Sequence, residues 1–429
     1  MISKNEKQEC FVYISLPGET EFVTAGRFVL TADRRGAPVG RFVYGNSYLA
    51  RKNAVPIDPI ELKLSTKTYE THLLKGVFGA LRDASPDSWG RRVIEKHAGL
   101  AQLREIDYML QSPDDRAGAL GFGLNKEPPV PRRKFNQRIE LEKLQQIADA
   151  IIADEELPEG EEAKQISDLL LVGTSMGGAR PKAVIEDGGA LWIAKFNRPD
   201  DRFNYARVEK AMLDLAGECG IQAAERKVVT AGSRDALMVK RFDRERCAKN
   251  YRRARMLSAL TLLRSEDTHQ HREKWSYVLL AEELRRISSQ PKTDAPELFR
   301  RMVFNALISN TDDHPRNHAV IAMGHDWRLS PAYDLTPRPE VSIERRVLAL
   351  ECGDFGRYAN AANMLTQCER FLLNAHVSKR IVDDMEQTVA QRWYDIARRE
   401  GVTENDCERI RPAFVYEGFR LESAEEVAP

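Results

Sequence analysis

Residues 308–336 of this 429-residue chain constrain its fold most, because three oxygen-bearing side chains recur there with a defined spacing. Asp312 comes five positions before Asn317, and Asp334 follows seventeen positions later. Between Asn317 and Asp334 lie an apolar run, a polar turn and a second short apolar run, which together predict a β-hairpin. The segment therefore predicts a polar loop and a hairpin that returns a second carboxylate towards the loop.

This spacing is typical of phosphoryl-transfer enzymes of the protein-kinase type, in which one Asp accepts the proton of the attacking hydroxyl. An Asn and a second Asp then hold Mg²⁺ against the nucleotide phosphates. We interpret Asp312 as the catalytic residue, and Asn317 and Asp334 as the metal ligands. The alternative is that all three are N-caps or Asx turns. His314 is expected to hold the loop through a hydrogen bond rather than bind a metal, since no second His or Cys has suitable spacing.

A second group of candidate residues lies upstream, where strand-like runs alternate with turns. The glycine-rich segment 173–179 lies between two apolar runs and is either a phosphate-binding loop or an ordinary hairpin turn. Lys195 shares a strand face with apolar residues, so it either reaches solvent or needs a charge partner. Glu209, on the following predicted helix, is the candidate partner, and Lys182 is a competing phosphate-binding lysine closer to the glycines.

A basic stretch covers residues 240–255 and has two interpretations. It is either a contact for nucleic acid or an acidic partner, or a solvated loop and helix face. The second is favoured, because the chain carries 65 basic and 65 acidic side chains and no global field. Lys240 and Phe242 are expected to flank a hinge whose backbone pairs with adenine, with Phe242 packing on the base.

Composition narrows the class of protein. No apolar run approaches the roughly 20 residues that span a bilayer, and the first ten residues lack the apolar core of a signal peptide. The six cysteines are scattered without metal-binding spacing, so we expect free thiols in a reducing compartment. These features favour a cytoplasmic protein without membrane contact.

The order of the predicted elements favours an α+β, two-lobed protein-kinase-like fold. Residues 10–60 alternate as in a small antiparallel sheet, and residues 70–123 are predicted to be mainly helical. Strand patterns return from about residue 168, and helical patterns dominate after about residue 253. We predict a small N-terminal subdomain within a β-rich N-terminal lobe and a mainly helical C-terminal lobe. The expected boundaries are 1–124, 138–243 with the glycine-rich loop, and 244–429 with the catalytic loop.

Several motifs occur in a fixed order along the chain. The core carries TSMGGARPKA, IAKF, KRFDR, LSALTLL, NTDDHPRN and LSPAYDLTP, preceded by VFGALRDASPDSWGRRVI and DDRAGALGF. In this order they resemble the HipA family of bacterial serine/threonine kinases, the toxin half of HipA/HipB-type toxin–antitoxin pairs. Two departures are notable: the loop reads GGARPK where familiar members have AGAQEK, and Asp313 stands where many members have Gly.

The resemblance implies a role for each candidate residue. Asp312 is similar to the catalytic Asp, and Asn317 and Asp334 to the Mg²⁺ ligands. Lys195 is similar to the lysine on the ATP phosphates, with Glu209 as its helix partner. The phosphate-binding loop would include Gly177, Gly178, Ala179 and Lys182. Ser175, or alternatively Thr174, falls where family members autophosphorylate, which ejects the loop and inactivates the kinase.

The resemblance also implies a function. It points to an ATP- and Mg²⁺-dependent protein kinase that arrests growth by phosphorylating a translation component of the aminoacyl-tRNA synthetase kind. A small HipB-like helix-turn-helix antitoxin would inhibit it, and DNA would be contacted only through that partner. Two alternatives remain open, namely a partner-binding repressor component that needs no catalysis and a kinase for a small molecule.

Overall fold

A computed structural model describes residues 8–99, 103–131, 135–155, 180–248, 250–268, 270, 272–339 and 345–420 of the chain. The glycine-rich segment 173–179, which holds Ser175, Gly177, Gly178 and Ala179, lies outside these ranges. Among the described residues, no helix has both the length and the apolar character needed to cross a membrane.

Fifteen strands are described, and they form four sheets. In chain order they are β1 Gln8–Ser15, β2 Phe22–Ala32, β3 Pro38–Tyr44, β4 Tyr69–Thr71, β5 Leu120–Gly123, β6 Asn136–Gln137, β7 Lys182–Asp187, β8 Ala190–Phe196, β9 Arg226–Ala231, β10 Arg234–Lys240, β11 Arg244–Cys247, β12 Asn250–Arg253, β13 Arg255–Ser258, β14 Ala319–Ala322 and β15 Arg328–Leu329.

The N-terminal sheet has the order β4-β3-β2-β1-β5, with all neighbours antiparallel. It confirms the small antiparallel sheet expected from the alternation over residues 10–60. The helical expectation for residues 70–123 is wrong at its end, because β5 pairs with β1. A Cβ on Gly123 would lie 2.5 Å from the Tyr13 hydroxyl, so a larger residue there would require the Tyr13 side chain to shift.

The second sheet has the order β6-β7-β8-β10-β9 and forms the central part of the N-terminal lobe. One face packs on helix Leu141–Ile152, whose apolar residues recur at the predicted helical spacing. Trp89 and Val93, from helix Ser88–Ala98, belong to the same apolar cluster. The N-terminal subdomain is thus packed directly against this sheet.

The remaining chain is mainly helical, as predicted. Among the described residues, the helices longer than one turn are Ser88–Ala98, Glu105–Gln111, Leu141–Ile152, Tyr205–Glu218, Tyr277–Ile287, Pro291–Leu307, Ala361–Thr366, Ala375–Arg399 and Glu404–Ile410, with shorter ones at Asn46–Leu49, Leu73–Gly76, Gly79–Asp83 and Ala259–Leu262. Helix Pro291–Leu307 runs through the core of the C-terminal lobe, where Leu298 and Val303 have no exposed surface. The β-rich lobe followed by a helical lobe confirms the predicted fold class.

Helix Tyr205–Glu218 connects the two lobes. It packs against the C-terminal helix Ala375–Arg399. Arg392 on that helix pairs with Glu218 at 2.9 Å, and Lys210 pairs with Glu400 just beyond it. The helix that carries Glu209 is therefore fastened to the far end of the C-terminal lobe.

A three-stranded sheet, β13-β14-β15, carries the predicted hairpin after Asn317. Strand β14 pairs with β13, which follows the basic stretch, so Ser258 faces Ala319 across the sheet. This pairing brings the predicted catalytic loop next to the segment that leaves the N-terminal lobe.

Candidate active site

A cleft of about 860 Å³, including its open mouth, lies between the lobes. It is lined by residues from both lobes and from the N-terminal subdomain: Asp83, Ser85, Asp87, Ala117, Ile193, Lys195, Val239, Lys240, Arg241, Phe242, Met256, Ser258, Arg316, Asn317, Tyr333 and Asp334. Five predicted site residues are among them, namely Lys195, Lys240, Phe242, Asn317 and Asp334.

Lys195 lies at the centre of the cleft, near the end of strand β8. Its Nζ donates to Glu209 Oε1 at 2.6 Å and to Asp334 Oδ1 at 2.7 Å. Glu209 reaches it from helix Tyr205–Glu218, and its side chain is 7% exposed. Asp334 keeps 35% of its side-chain surface and faces the cleft. The structure thus brings together three predicted site residues that are far apart in the chain.

The electrostatics of this triad favour a charged lysine. Burial opposes the charge on Lys195, but Asp334 and Glu209 outweigh it and raise the lysine pKa. Burial likewise acts against the charge on Asp334, yet Lys195 outweighs it and lowers the pKa of Asp334 to about 2. Burial, reinforced by the charge of Asp334, raises the pKa of Glu209. At neutral pH the site combines a fixed cation with an ionised carboxylate that opens to the cleft.

Asp334 owes its orientation to its backbone, which has a left-handed φ of 61°. Asp and Asn adopt this conformation more readily than other non-glycine residues. The Asn310 side chain, at 3.4 Å, donates to the Asp334 carbonyl oxygen. The left-handed backbone and this hydrogen bond together orient the carboxylate that follows the hairpin.

The predicted catalytic loop runs from Asp312 to Asn317. Asp312 is exposed, and Arg338 Nη2 lies 2.5 Å from its Oδ2. Asn317 is buried at the end of a single 3₁₀ turn, and its Nδ2 donates weakly to the Asp312 carbonyl oxygen at 3.4 Å. Asn317 lines the cleft, whereas Asp312 is not among the lining residues. Asp312 thus lies at the rim of the cleft rather than in its wall.

Asp313 has a role that sequence reasoning missed. Its carboxylate is 1% exposed, accepts from the Tyr277 hydroxyl and lies 2.7 Å from His318 Nε2. Asn305 donates to the Tyr277 hydroxyl at 3.1 Å, and Asn310 donates to Asn305 at 3.0 Å. Since Asn310 also holds the Asp334 carbonyl, a continuous hydrogen-bonded network joins the predicted catalytic loop to the predicted metal ligand. The feature of the sequence that could have indicated this role is the Asp at position 313, where many members of the resembled family have Gly.

The other face of the cleft holds the predicted hinge. Phe242 lies with its ring centroid 5.6 Å from that of Tyr333. The Lys240 backbone N–H donates to the Glu225 carbonyl at 2.8 Å, and its side chain pairs with the Glu225 carboxylate at 2.7 Å. Lys240 therefore contributes to the wall of the cleft with its donors already engaged by Glu225.

Near the hinge the basic stretch is not the solvated face that was favoured, whereas Arg246, further along, is exposed to solvent. Arg241 and Arg244 are buried and pair with Asp243 at 2.9 and 2.7 Å. Arg241 also reaches Asp115 of the N-terminal subdomain at 2.5 Å. Burial alone would raise the pKa of Asp243, but Arg241 and Arg244 outweigh it. The pKa of Asp243 is therefore far below its usual range. The basic residues nearest the hinge thus fasten it to the N-terminal subdomain.

Two further loop residues complete the site. Arg316 pairs with Asp267 at 2.9 Å and Asp83 at 3.5 Å, which ties the loop to the N-terminal subdomain. His314 donates its backbone N–H to the Asp312 carbonyl at 2.8 Å. Its ring Nδ1 is buried and has no hydrogen-bond partner among the residues that the structure describes. The bond expected of this ring is thus not made through Nδ1.

The cleft fits a nucleotide with Mg²⁺. Within the described ranges, no three acidic, His or Cys side chains form a protein-only metal site. Mg²⁺ is usually held by one or two protein oxygen ligands together with substrate phosphates, and Asn317 and Asp334 could supply those ligands. The orphaned His314 Nδ1 is a donor or acceptor that a bound polar group would satisfy.

Comparison with known proteins is consistent with this picture. Residues 174–393 match the HipA-like C-terminal domain, and residues 23–123 match the HipA N-terminal domain. A Sinorhizobium fredii protein, "Putative kinase Y4mE", is 24% identical over an alignment of 360 positions, which covers 76% of this chain and 81% of that protein. A solved Shewanella oneidensis toxin–antitoxin complex of HipA, HipB and operator DNA contains a chain with a TM-score of 0.69 and 18% identity. The match covers 96% of this chain and all of that one.

Proposed function

This chain belongs to the HipA family, and on that premise we propose that it is an ATP- and Mg²⁺-dependent serine/threonine protein kinase. We propose further that it acts as the toxin of a toxin–antitoxin pair. The observation that supports the kinase assignment most is the contact of Lys195 with both Glu209 and Asp334 inside the cleft. The similarity to a Sinorhizobium protein that is named a kinase supports it independently.

The roles of the residues follow from charge and position. When bound, ATP supplies the phosphoryl group and Mg²⁺ neutralises the phosphate oxygens. Asn317 and Asp334 would hold the metal, and Lys195, oriented by Glu209, would bind the phosphates. Phe242 would pack on the adenine at the other end of the cleft. These residues hold the reactants in place and offset their charge, which accounts for most of the catalysis in phosphoryl transfer.

Asp312 would accept the proton of the attacking hydroxyl. Its carboxylate is exposed at the rim, so a serine or threonine on a second protein can reach it without entering the cleft. Arg338 Nη2 pairs with this carboxylate at 2.5 Å. The exposure of Asp312 is compatible with an acceptor hydroxyl on the surface of a protein substrate.

Autophosphorylation is proposed at Ser175, with Thr174 as the neighbouring alternative, and it would inactivate the kinase. Lys182, at the start of β7, would bind phosphate together with Gly177 and Gly178. The proposal is tested by mass spectrometry of the protein after incubation with ATP and Mg²⁺. Ser175→Ala should lose the main phosphosite, and a main phosphosite that persists at Thr174 would contradict the assignment to Ser175.

The partners are proposed from the family. A HipB-like helix-turn-helix antitoxin would bind and inhibit the chain, in line with the Shewanella complex. DNA would be contacted through that partner, because the chain itself has a formal net charge of zero. The substrate would be a translation component such as an aminoacyl-tRNA synthetase. Phosphoproteomics on cells that express the wild-type protein or Asp312→Asn would identify it.

The decisive test of catalysis uses two variants. Asp312→Asn and Asp334→Asn should each abolish phosphoryl transfer from labelled ATP while the circular dichroism spectrum stays that of the wild type. Asp334→Asn should also weaken Mg²⁺-dependent ATP binding, whereas Asp312→Asn should leave that binding intact. Full incorporation of label by either variant would refute its assigned role. A wild-type protein that binds ATP but transfers no phosphate would favour a partner-binding function instead.

A further inference from the structure

The N-terminal subdomain forms part of the cleft wall. Asp83, Ser85, Asp87 and Ala117 line the cleft, and all lie within the stretch matched by the HipA N-terminal domain. Asp87 differs from the other three in making an ion pair with a lysine of the second sheet. That lysine is Lys182, the first residue of β7.

Asp87 holds Lys182 from a fixed position. It is the N-cap of helix Ser88–Ala98, and its Oδ1 accepts from the Gly90 backbone N–H at 2.8 Å. Its Oδ2 lies 2.7 Å from Lys182 Nζ, and the two side chains are 9% and 1% exposed. One oxygen of the Asp87 carboxylate is therefore held by the helix backbone, and the other is held by the lysine.

Trp89, the next residue but one, holds the backbone of the same lysine. Its indole N–H donates to the Lys182 carbonyl at 3.2 Å, and the ring is buried in the cluster beneath the sheet. Asp87 and Trp89 thus fix both the ammonium and the backbone of Lys182. Lys182 comes three positions after the end of the glycine-rich segment. These contacts therefore also fix the chain at the point where strand β7 begins.

The sheet register explains why a carboxylate is needed there. Lys182 lies directly opposite Lys195 in the pairing of β7 with β8, so both side chains project from the same face. Like charges directly opposite each other destabilise a sheet. Lys195 is compensated by Glu209 and Asp334, and Asp87 compensates Lys182.

We propose that Asp87 is a positioning residue that fixes the Lys182 ammonium beside the part of the cleft wall that Asp87 itself lines. Nucleotide binding would then depend on the docked N-terminal subdomain. This inference rests on the proposed function, in which Lys182 contacts the ATP phosphates.

The test uses the full chain and the variant Asp87→Asn. Asparagine is as good an N-cap as aspartate, so the helix start is retained while the charge is removed. We expect ATP to bind in the presence of Mg²⁺ about tenfold more weakly, as when one charge-assisted hydrogen bond is lost. Asn374→Ala is the control, because it removes the N-cap of the distant helix Ala375–Arg399 and should leave the ATP affinity unchanged.

A double variant shows whether Asp87 acts through Lys182. Asp87→Asn combined with Lys182→Met should bind ATP no more weakly than Lys182→Met alone. Additive losses would overturn the inference, and so would an Asp87→Asn variant that binds ATP as tightly as the wild type or more tightly. If Asp87→Asn does not fold, recovery of folding in the double variant would support the pairing, and failure to recover would overturn it.

A measurement without nucleotide separates this inference from the proposed function. Urea unfolding of the wild type, the two single variants and the double variant gives the coupling between Asp87 and Lys182. Zero coupling would overturn the inference even if ATP binds. A wild-type protein that does not bind ATP would overturn the proposed function and the nucleotide role of Asp87, while strong coupling would still establish the pair.

Discussion

Asp313 Oδ2 and His318 Nε2 lie 2.7 Å apart, one residue from each end of the predicted catalytic loop. Both side chains are buried, and their contact closes the loop between Asp312 and Asn317. The Tyr277 hydroxyl donates to the same carboxylate from the neighbouring helix. The loop is therefore held by a buried polar network as well as by its backbone.

Replacing Asp313 tests this network. Asp313→Asn should lower the free energy of unfolding by about 2–4 kcal/mol, because it leaves buried polar partners poorly satisfied. Tyr277→Phe removes a donor to Asp313 and the acceptor of the Asn305 amide, and should cost about 1–3 kcal/mol. Urea unfolding measures both, and a phosphoryl-transfer assay should show a lower rate for Asp313→Asn with ATP affinity near that of the wild type. Equal stability of Asp313→Asn and the wild type would contradict the network.

Lys195→Met tests the centre of the cleft. It leaves Glu209 and Asp334 as neighbouring carboxylates without their cation, so phosphoryl transfer should fall by roughly 100-fold or more. Lys379→Met is the control: this lysine is on helix Ala375–Arg399, and it pairs with Asp383 at 2.9 Å, away from the residues that line the cleft. Comparable losses in the two variants would mean that the effect comes from general destabilisation. The initial rate with labelled ATP decides between these outcomes.

Arg241→Met tests the buried ion network between the hinge and the N-terminal subdomain. Asp115 and Asp243 would remain buried without this cation, and breaking such a pair costs about 3–5 kcal/mol. Arg338→Ala removes an exposed pair and should change stability by about 1 kcal/mol or less. Thermal unfolding compares the two variants, and a similar shift in both would refute the structural role of Arg241.

Glu61 predicts a pH dependence of stability. Burial, together with the nearby charge of Asp58, raises the pKa of Glu61 to about 7 from an ordinary 4.5. A carboxyl group whose pKa is raised on folding contributes relative stability below its unfolded pKa, and this contribution is lost as the pH rises through the folded pKa. The free energy of unfolding of Glu61→Gln, compared with that of the wild type, should therefore increase as the pH rises from about 5 to about 8. Urea unfolding at both pH values should show the difference, and a gap that does not change with pH would contradict it.

Local patterns in the sequence were sufficient to predict part of this site. Alternation places Lys195 on an apolar strand face, and Glu209 lies on the next predicted helix, one short connection away, which made Glu209 the candidate partner. The strand β14 and the returning Asp334 follow equally from alternation and turn residues. The two-lobed fold was predictable for the same reason. Apolar residues recur with the spacing of strands in the N-terminal lobe and with the spacing of helices in the C-terminal lobe.

The contacts that were missed are those between distant segments. Asp87 and Lys182 are 95 positions apart, and Arg241 and Asp115 are 126 apart. A charged residue in a basic stretch has the same local pattern whether it faces water or a buried carboxylate, so burial of Arg241 and Arg244 could not be read from composition. Strand β5 was missed similarly, since its pairing with β1 depends on a tertiary contact.

The attachment of helix Tyr205–Glu218 to the C-terminal lobe limits how the position of Glu209 can be changed. Arg392 pairs with Glu218, and Lys210 pairs with Glu400, on the side of the helix away from the cleft. To swing Glu209 away from Lys195, the protein would have to break both lobe-bridging ion pairs as well as the packing on helix Ala375–Arg399. Displacing the helix would therefore cost more than separating Lys195 from Glu209 alone, and an inhibitor of this protein would gain more by blocking entry to the cleft than by displacing the helix.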